Sequence, residues 1–259
     1  MKNTNDLSPS TALSMHQLHH AQLSEAPVAI SINGISQAVM MASPNNLKDF
    51  AIGFALSEGL IHDTQEILDM VTHAHDNGWQ VDLQVLGRTN HQLKQRRRTM
   101  AGPSGCGLCG LDSIQAAMQL NTEQNNQSNK AIISPSLEVI IQAKNDLPKI
   151  IDDLGGKRGN HSATYFDLTG HLIAHREDVG RHSALDKLLG CLSRSNQLTT
   201  AGFVLMTSRC SHDLVVKVAR LSLTTLVTLA QPTTLAVESA RKTKLALFCF
   251  QQKQLKRFA

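Results

Sequence analysis

The stretch from 203 to 250, FVLMTSRCSHDLVVKVARLSLTTLVTLAQPTTLAVESARKTKLALFCF, decides the fold. Phe203 to Met206 reads as a buried strand, Ser208-Arg209-Cys210-Ser211 as a turn, and Asp213 to Arg220 as a helix. A second apolar strand follows at Leu226 to Leu229. Gln231-Pro232-Thr233-Thr234 then caps a helix through Ala240, and Leu245 to Phe250 forms a third strand. The order β-α-β-α-β implies a parallel sheet, because the crossover between parallel strands is right-handed and short connections favour neighbours. In such sheets ligands bind outside the carboxyl ends of the strands. Ser208 to Ser211, Gln231 to Thr234 and the chain after Phe250 therefore fall at one edge, where two helix N-termini offer N–H groups to an anion. The bland alternative, ordinary caps on a sheet with no ligand, stays open.

Upstream, Ala163 to Asp167 and Leu172 to His175 bracket Leu168-Thr169-Gly170 as a hairpin, and Ser134-Pro135 opens a helix carrying Leu137, Ile140, Ile141 and Lys144. Residues 121–130, NTEQNNQSNK, have linker composition, and Leu111, Ile114 and Met118 suggest a brief helix before them. Two β-rich runs between Val28 and Met41 flank Asn33-Gly34, a tight-turn dipeptide. Ser43-Pro44 then reads as an N-cap and first-turn proline for a helix through Leu47, Phe50, Ala51, Phe54 and Ala55, closed by Gly59. Val81, Leu83 and Val85 alternate as a strand, followed by a basic run with Lys94, Arg96, Arg97 and Arg98. The expected organisation is a disordered tail at 1–24, an α+β domain at 25–120, a linker at 121–130 and an α/β domain at 131–259.

Composition narrows the function classes. Only nine of the 259 residues are Phe, Trp or Tyr, which argues against an aromatic platform for nucleic acid. Lys and Arg exceed Asp and Glu by 25 to 21, a mild imbalance. No apolar run is long enough to cross a membrane, and the opening MKNTNDLSPSTALSMHQLHH lacks a secretory h-region. With five cysteines, an odd number, reduced thiols in a cytoplasmic protein fit better than a disulfide framework.

The segment 102–110, GPSGCGLCG, holds a C-x-x-C between glycines. Such a segment has few side chains to bury and reads as an exposed loop. A zinc site needs four ligands, and Cys191, Cys210 and Cys249 are scattered, so no structural metal is expected. A zinc deaminase would place H-x-E before P-C-x-x-C, whereas His175-Arg176-Glu177 comes after the cysteines. Thiol chemistry, either dithiol redox or sulfur relay, needs a thiolate, and nearby arginines favour its formation. The same arginines could equally form a solvated face, and spacing alone does not separate redox from relay.

Taken together, Ser104–Gly110 (SGCGLCG), Arg176–Lys187 (REDVGRHSALDK), Thr207–Arg220 (TSRCSHDLVVKVAR), Thr233–Glu238 (TTLAVE), Asn33-Gly34-Ile35 and Met41-Ala42-Ser43-Pro44 resemble the formate dehydrogenase accessory sulfurtransferase family, FdhD. The similarity runs from about Pro27 to Phe250. It implies a cytidine-deaminase-like three-layer C-terminal domain with a mixed sheet and a smaller α+β N-terminal domain. It also implies a homodimeric sulfur carrier that takes sulfane sulfur from a cysteine desulfurase and passes it to a molybdenum or tungsten cofactor, the bis-guanine-dinucleotide molybdopterin, bound as a client for formate dehydrogenase.

Carried over by this resemblance, Cys106 is the persulfide-bearing cysteine and Cys109 the second thiol of the relay. His161 matches another family position, and Asp178, Gly180, Arg181, His182, Asp186 and Lys187 match the signature after the second hairpin. Arg181 and Lys187 are expected to pair with phosphates and His182 to hydrogen-bond them, together with Ser208, Arg209 and Thr233, while a helix-capping or ion-pair role is the alternative for Asp178 and Asp186. Phe248, Cys249, Phe250, Gln251, Gln252 and Lys253 complete the expected cofactor edge, where the chain lacks the basic Pro-Gly-Arg-like continuation of many members. A cofactor chaperone whose cysteines serve only contact or metal binding is the competing class. Neither nucleic acid nor membrane is an expected partner.

Overall fold

The computed structural model describes residues 23–91, 134–157 and 159–259. The chain opens with a hairpin of β1 (Ala26–Ile32) and β2 (Ile35–Ala42), followed by α1 (Leu47–Ser57), β3 (Ile67–His75) and β4 (Gly78–Val85). Asn33 and Gly34 take positive φ values of 48° and 74° at the hairpin turn, as their dipeptide signalled. These strands form one sheet in the order β2-β1-β4-β3, in which β1 and β4 run parallel. Val28, Ile30, Ile32, Val81, Leu83 and Val85 alternate onto the face that packs against α1.

The second sheet has six strands in the order β10-β9-β8-β7-β5-β6. Its members are β5 (His161–Asp167), β6 (Leu172–Asp178), β7 (Gly202–Arg209), β8 (Thr225–Ala230), β9 (Ala246–Gln251) and β10 (Gln254–Arg257). β7, β8 and β9 are parallel, as the β-α-β-α-β reading requires, while β5, β6 and β10 add antiparallel pairs and make the sheet mixed. On one face α2 (Leu137–Asp153) buries Ile140, Ala143 and Leu147 against Phe166, Phe203, Leu205, Val227 and Phe248. On the other, α3 (Arg181–Arg194), α4 (His212–Arg220) and α5 (Thr234–Lys242) cover Ala163, Val204, Met206, Leu226 and Leu247. The three-layer arrangement follows from strands that are apolar on both sides.

Several local expectations are corrected. Helix α1 starts at Leu47, with Asn46 at φ 50° before it. Ser43 does not cap it, because its groups are held elsewhere: its N–H donates to Asp178 at 2.9 Å, its hydroxyl accepts from the Val179 N–H at 3.2 Å, and its carbonyl accepts from Lys187 at 2.9 Å. The cap of α2 is Ser136, which accepts from the Val139 N–H, rather than Ser134. Ser208 and Arg209 end strand β7, and Arg209 still pairs with Ala230. After Phe250 the chain turns through Gln252 and Lys253, at φ 50° and 68°, into β10. Neither residue type signals a left-handed turn, so that strand left no mark in the sequence. The brief helix, linker and basic run expected between 94 and 130 lie outside the described residues.

Candidate functional site

Three helices begin at the carboxyl edge of the parallel strands. Gly180 precedes α3, Ser211 precedes α4 and Thr233 precedes α5; only Thr233 caps its own helix, accepting from the Ala236 N–H at 3.2 Å. Thr233 also donates its N–H to the Cys210 carbonyl at 3.0 Å, tying α5 to the end of β7. Arg181 and His182 occupy the first turn of α3. His182 Nε2 lies 3.4 Å from the Ser211 hydroxyl and 3.7 Å from Asp213 Oδ2, joining the starts of α3 and α4.

Burial and then the Arg181 guanidinium push the His182 pKa down, and the same two causes lower His161, which sits opposite Asp178 in the β5–β6 register. Both imidazoles are therefore held toward the neutral state, able to donate or accept a hydrogen bond. The Arg181 Nε is buried and has no hydrogen-bond partner among the described residues. A guanidinium beside two helix N-termini without side-chain caps provides the donor set an anion needs.

The other expected edge residues divide. Ser208 is buried and its hydroxyl donates to the Arg209 carbonyl at 3.1 Å, whereas Arg209 is exposed. Phe248 and Phe250 pack into the core on the α2 face, and Cys249 is buried with its thiol directed to the Phe250 carbonyl. Gln251, Gln252 and Lys253 lie at the carboxyl end of β9. Arg181, His182, Ser208, Arg209, Thr233 and the 251–253 turn all follow carboxyl ends of strands, with Arg181 beyond β6 at one end of the strand order and the 251–253 turn beyond β9 near the other. Phe248, Cys249 and Phe250 support that edge from beneath.

On the α2 face of the same edge is a cavity of about 480 Å³. Its walls include Leu147, Pro148 and Ile151 of α2, with Lys144 and Lys157 among its charged lining groups. Lys144 Nζ lies 5.8 Å from the ring centroid of Phe250. Glu177 lines the cavity; its burial opposes ionisation, but His175, with Nε2 3.5 Å away, and the Lys157 N–H at 3.0 Å together outweigh that and hold its pKa low.

Cys106 and Cys109 lie outside the described residues. The remaining thiols are poor thiolates: burial raises Cys191 and Cys249, and burial with Cys249 nearby pushes Cys210 up to about 12. Among the described residues, no group of three or more His, Cys, Asp or Glu is positioned to hold a metal ion. No helix among them is long and apolar enough to cross a membrane.

Sequence reasoning left an ion-pair role open for Asp178 and Asp186 but missed the partners that fix α3. Asp49 of α1 binds both Arg176 of β6 and Arg194 of α3. Lys187, expected to meet a phosphate, instead pairs with Asp178 at 2.6 Å with both side chains fully buried, so it is not presented to a ligand. Lys217 of α4 reaches Asp186 at 2.9 Å and Glu58 at 2.8 Å, and donates to the Ser57 hydroxyl at 2.8 Å. The available signal was Lys217, a charge on the otherwise apolar face of α4 beside Leu214 and Val218.

The FdhD/NarQ family model matches residues 23–258. A "Sulfur carrier protein FdhD" from Cupriavidus necator is 37% identical over 87% of this chain and 77% of its own length. One of the same name from Acinetobacter baylyi is 40% identical over 88% and 83%. A crystal structure from Desulfotalea psychrophila, described as that of a formate dehydrogenase accessory protein, shares the fold with TM-score 0.66 over 91% of this chain and 86% of that one, at 20% identity.

Proposed function

The chain belongs to the FdhD/NarQ family, and from that membership we propose that it is a sulfur carrier acting in the maturation of formate dehydrogenase. The observation that carries the reading is the agreement of its relatives, named sulfur carriers at 37–40% identity across most of the chain. Cys106 accepts the sulfur. Its thiolate attacks the outer sulfur of a cysteine desulfurase persulfide; the donor S–S bond breaks, the desulfurase cysteine leaves as a thiolate, and Cys106 becomes the persulfide. The S–S bond of the Cys106 persulfide then breaks, Cys106 leaves as a thiolate, and the sulfur passes at the zero oxidation level to the bis-guanine-dinucleotide molybdenum cofactor, the client, which as acceptor must supply the two electrons that make it a sulfide ligand. Alternatively, Cys109 attacks the inner sulfur, expelling hydrosulfide and leaving a disulfide that a dithiol must reduce.

The high pKa of Cys210 and the buried positions of Cys210 and Cys249 support assigning this work to the 106–109 pair. Arg181, the neutral His182 and the starts of α3 and α4 supply donors for the phosphates of the client, with Arg209, Thr233 and Gln251 to Lys253 along the same edge. This reading makes the protein a cytoplasmic sulfurtransferase and homodimer. Incubation with a cysteine desulfurase and cysteine is expected to add the mass of sulfur to the wild type, removable by reductant, and none to Cys106→Ser. Equal sulfur gain by that variant would overturn the Cys106 relay. No gain by either protein, together with cofactor binding, would instead identify a chaperone.

A further inference from the structure

We propose that the outer edge of β10 is a docking strand for a partner polypeptide, an extended segment whose side chains alternate between acidic and apolar. The surface lies toward the amino end of β9, away from the starts of α3, α4 and α5. It goes beyond the sulfur-carrier reading and does not depend on it.

The first observation is charge. Residues 241–259 contain Arg241, Lys242, Lys244, Lys253, Lys256 and Arg257 and no Asp or Glu, in a chain whose Lys and Arg exceed Asp and Glu only by 25 to 21. Without this stretch the chain is net acidic. All six side chains are exposed, and among the described residues none pairs with a carboxylate. Arg241 and Arg257 donate instead to the carbonyls of Phe258 and Ala259, at 3.5 and 2.7 Å. Lys253 stands in the turn at the carboxyl end of β9 and belongs to the edge described above. The other five gather elsewhere: Arg241 and Lys242 end α5, Lys244 leads into β9, and Lys256 and Arg257 stand opposite Cys249 and Phe248.

The strand itself supplies the second observation. β10 ends the order β10-β9-β8-β7-β5-β6, so its outer side pairs with no further strand among the described residues. Such an edge offers N–H and C=O groups in alternation to another chain. Its two faces differ. Leu255 and Arg257 pair with Phe250 and Phe248 and share the α2 face, where Leu255 packs against the core and Arg257 lies 5.8 Å from the Phe248 ring centroid. Lys256 alternates to the face covered by α5, where the Arg241 guanidinium reaches Phe258, the residue after β10. One flank of the edge is thus cationic, with Arg241, Lys242 and Lys256, while the other presents the half-buried Leu255 beside a guanidinium laid over an aromatic ring.

These features select the guest. An incoming strand that alternates acidic and apolar residues sets its carboxylates against Arg241, Lys242 and Lys256 and its apolar side chains against Leu255. A nucleic acid answers the cations, but its phosphates only accept hydrogen bonds and leave the carbonyls of the edge without donors. A basic strand meets like charge. Lysines on an edge strand also guard against pairing between copies, but that role calls for cations on β10 itself and gives no reason for Arg241, Lys242 and Lys244 to stand without carboxylates.

Fluorescence anisotropy on the full chain, with a labelled peptide of four Glu-Val repeats, tests the assignment. This peptide is expected to bind about tenfold or more tightly than one of four Lys-Val repeats, and raising NaCl from about 0.05 to about 0.5 M is expected to weaken it about tenfold. Exchanging one central Val of the peptide for Pro keeps its charge and removes a ladder N–H, with an expected weakening of about fivefold or more. The double variant Lys242→Glu with Lys256→Glu changes two exposed positions; checked for folding by circular dichroism, it is expected to bind the acidic peptide about tenfold more weakly. Undiminished binding of the Pro peptide would reduce the interaction to charge alone and overturn the docking strand. No binding of the acidic peptide, equal affinity for the basic one, undiminished binding by the folded double variant, or tighter binding of a single-stranded oligothymidylate would overturn it as well.

Discussion

The seam between α1 and α3 and the carboxyl edge of the large sheet treat polar groups in opposite ways. At the seam, Lys217 has Asp186, Glu58 and Ser57 around it, Lys187 has Asp178, Asn45 and the Ser43 carbonyl, and Asp49 holds two arginines. The backbones approach closely because Gly53 and Gly190 face each other: a Cβ on Gly190 would stand 1.9 Å from the Asp49 carbonyl, and one on Gly53 would stand 1.7 Å from that of Asp186. At the edge, by contrast, Ser162 Oγ, Asn160 Oδ1 and Arg181 Nε are buried without partners among the described residues. The two lysines show what the local company decides. Carboxylates outweigh desolvation at Lys217 and raise its pKa, while desolvation dominates at Lys187 and lowers it. Saturated polar groups make the seam a rigid mount, and unsaturated ones leave the edge with unused hydrogen-bonding capacity.

The contrast breaks most severely at Gly190. Gly190→Ala forces a methyl into the Asp49 backbone, and urea titration is expected to show a loss above about 4 kcal/mol or no folded protein. Wild-type stability from that variant would mean that the close crossing does not exist. Lys217→Met comes next, with an expected cost of about 3–5 kcal/mol because it strands the buried Asp186 without its cation. Adding Asp186→Leu should recover part of that loss; strict additivity would show that the pair is not coupled. Ser162→Ala is expected to change stability by less than about 0.5 kcal/mol, since the hydroxyl it removes has no partner among the described residues. A loss beyond about 1 kcal/mol in thermal or urea unfolding would move Ser162 from the edge class to the seam class.

The parallel core was legible because β7, β8 and β9 are continuous apolar runs separated by recognisable caps such as Thr233. The tertiary fold placed His182 near Ser211 without any sequence signal for that contact. The seam was not legible: Gly53 and Gly190 are ordinary helix residues in local sequence, and only the tertiary crossing explains them. β3 was also missed, since its polar and apolar residues do not alternate cleanly beyond the bulge near Ile67. The C-x-x-C segment at 102–110 was read from its motif alone and lies outside the described residues, and the α2-face cavity depends on a row crossing three strands, which no local pattern encodes.

The α1–α3 crossing also sets a timetable for synthesis. Helix α1 is buried along nearly its whole length, with one side against the small sheet and the other against α3. The end of α3 emerges about 140 residues after the end of α1. At ~5–20 residues per second, a ribosome takes on the order of 7–30 s to deliver it. Throughout that interval the nascent N-terminal half displays an apolar helix surface whose natural cover has not yet been translated, which makes this half a client for holding chaperones and leaves the final docking step to follow synthesis of α3.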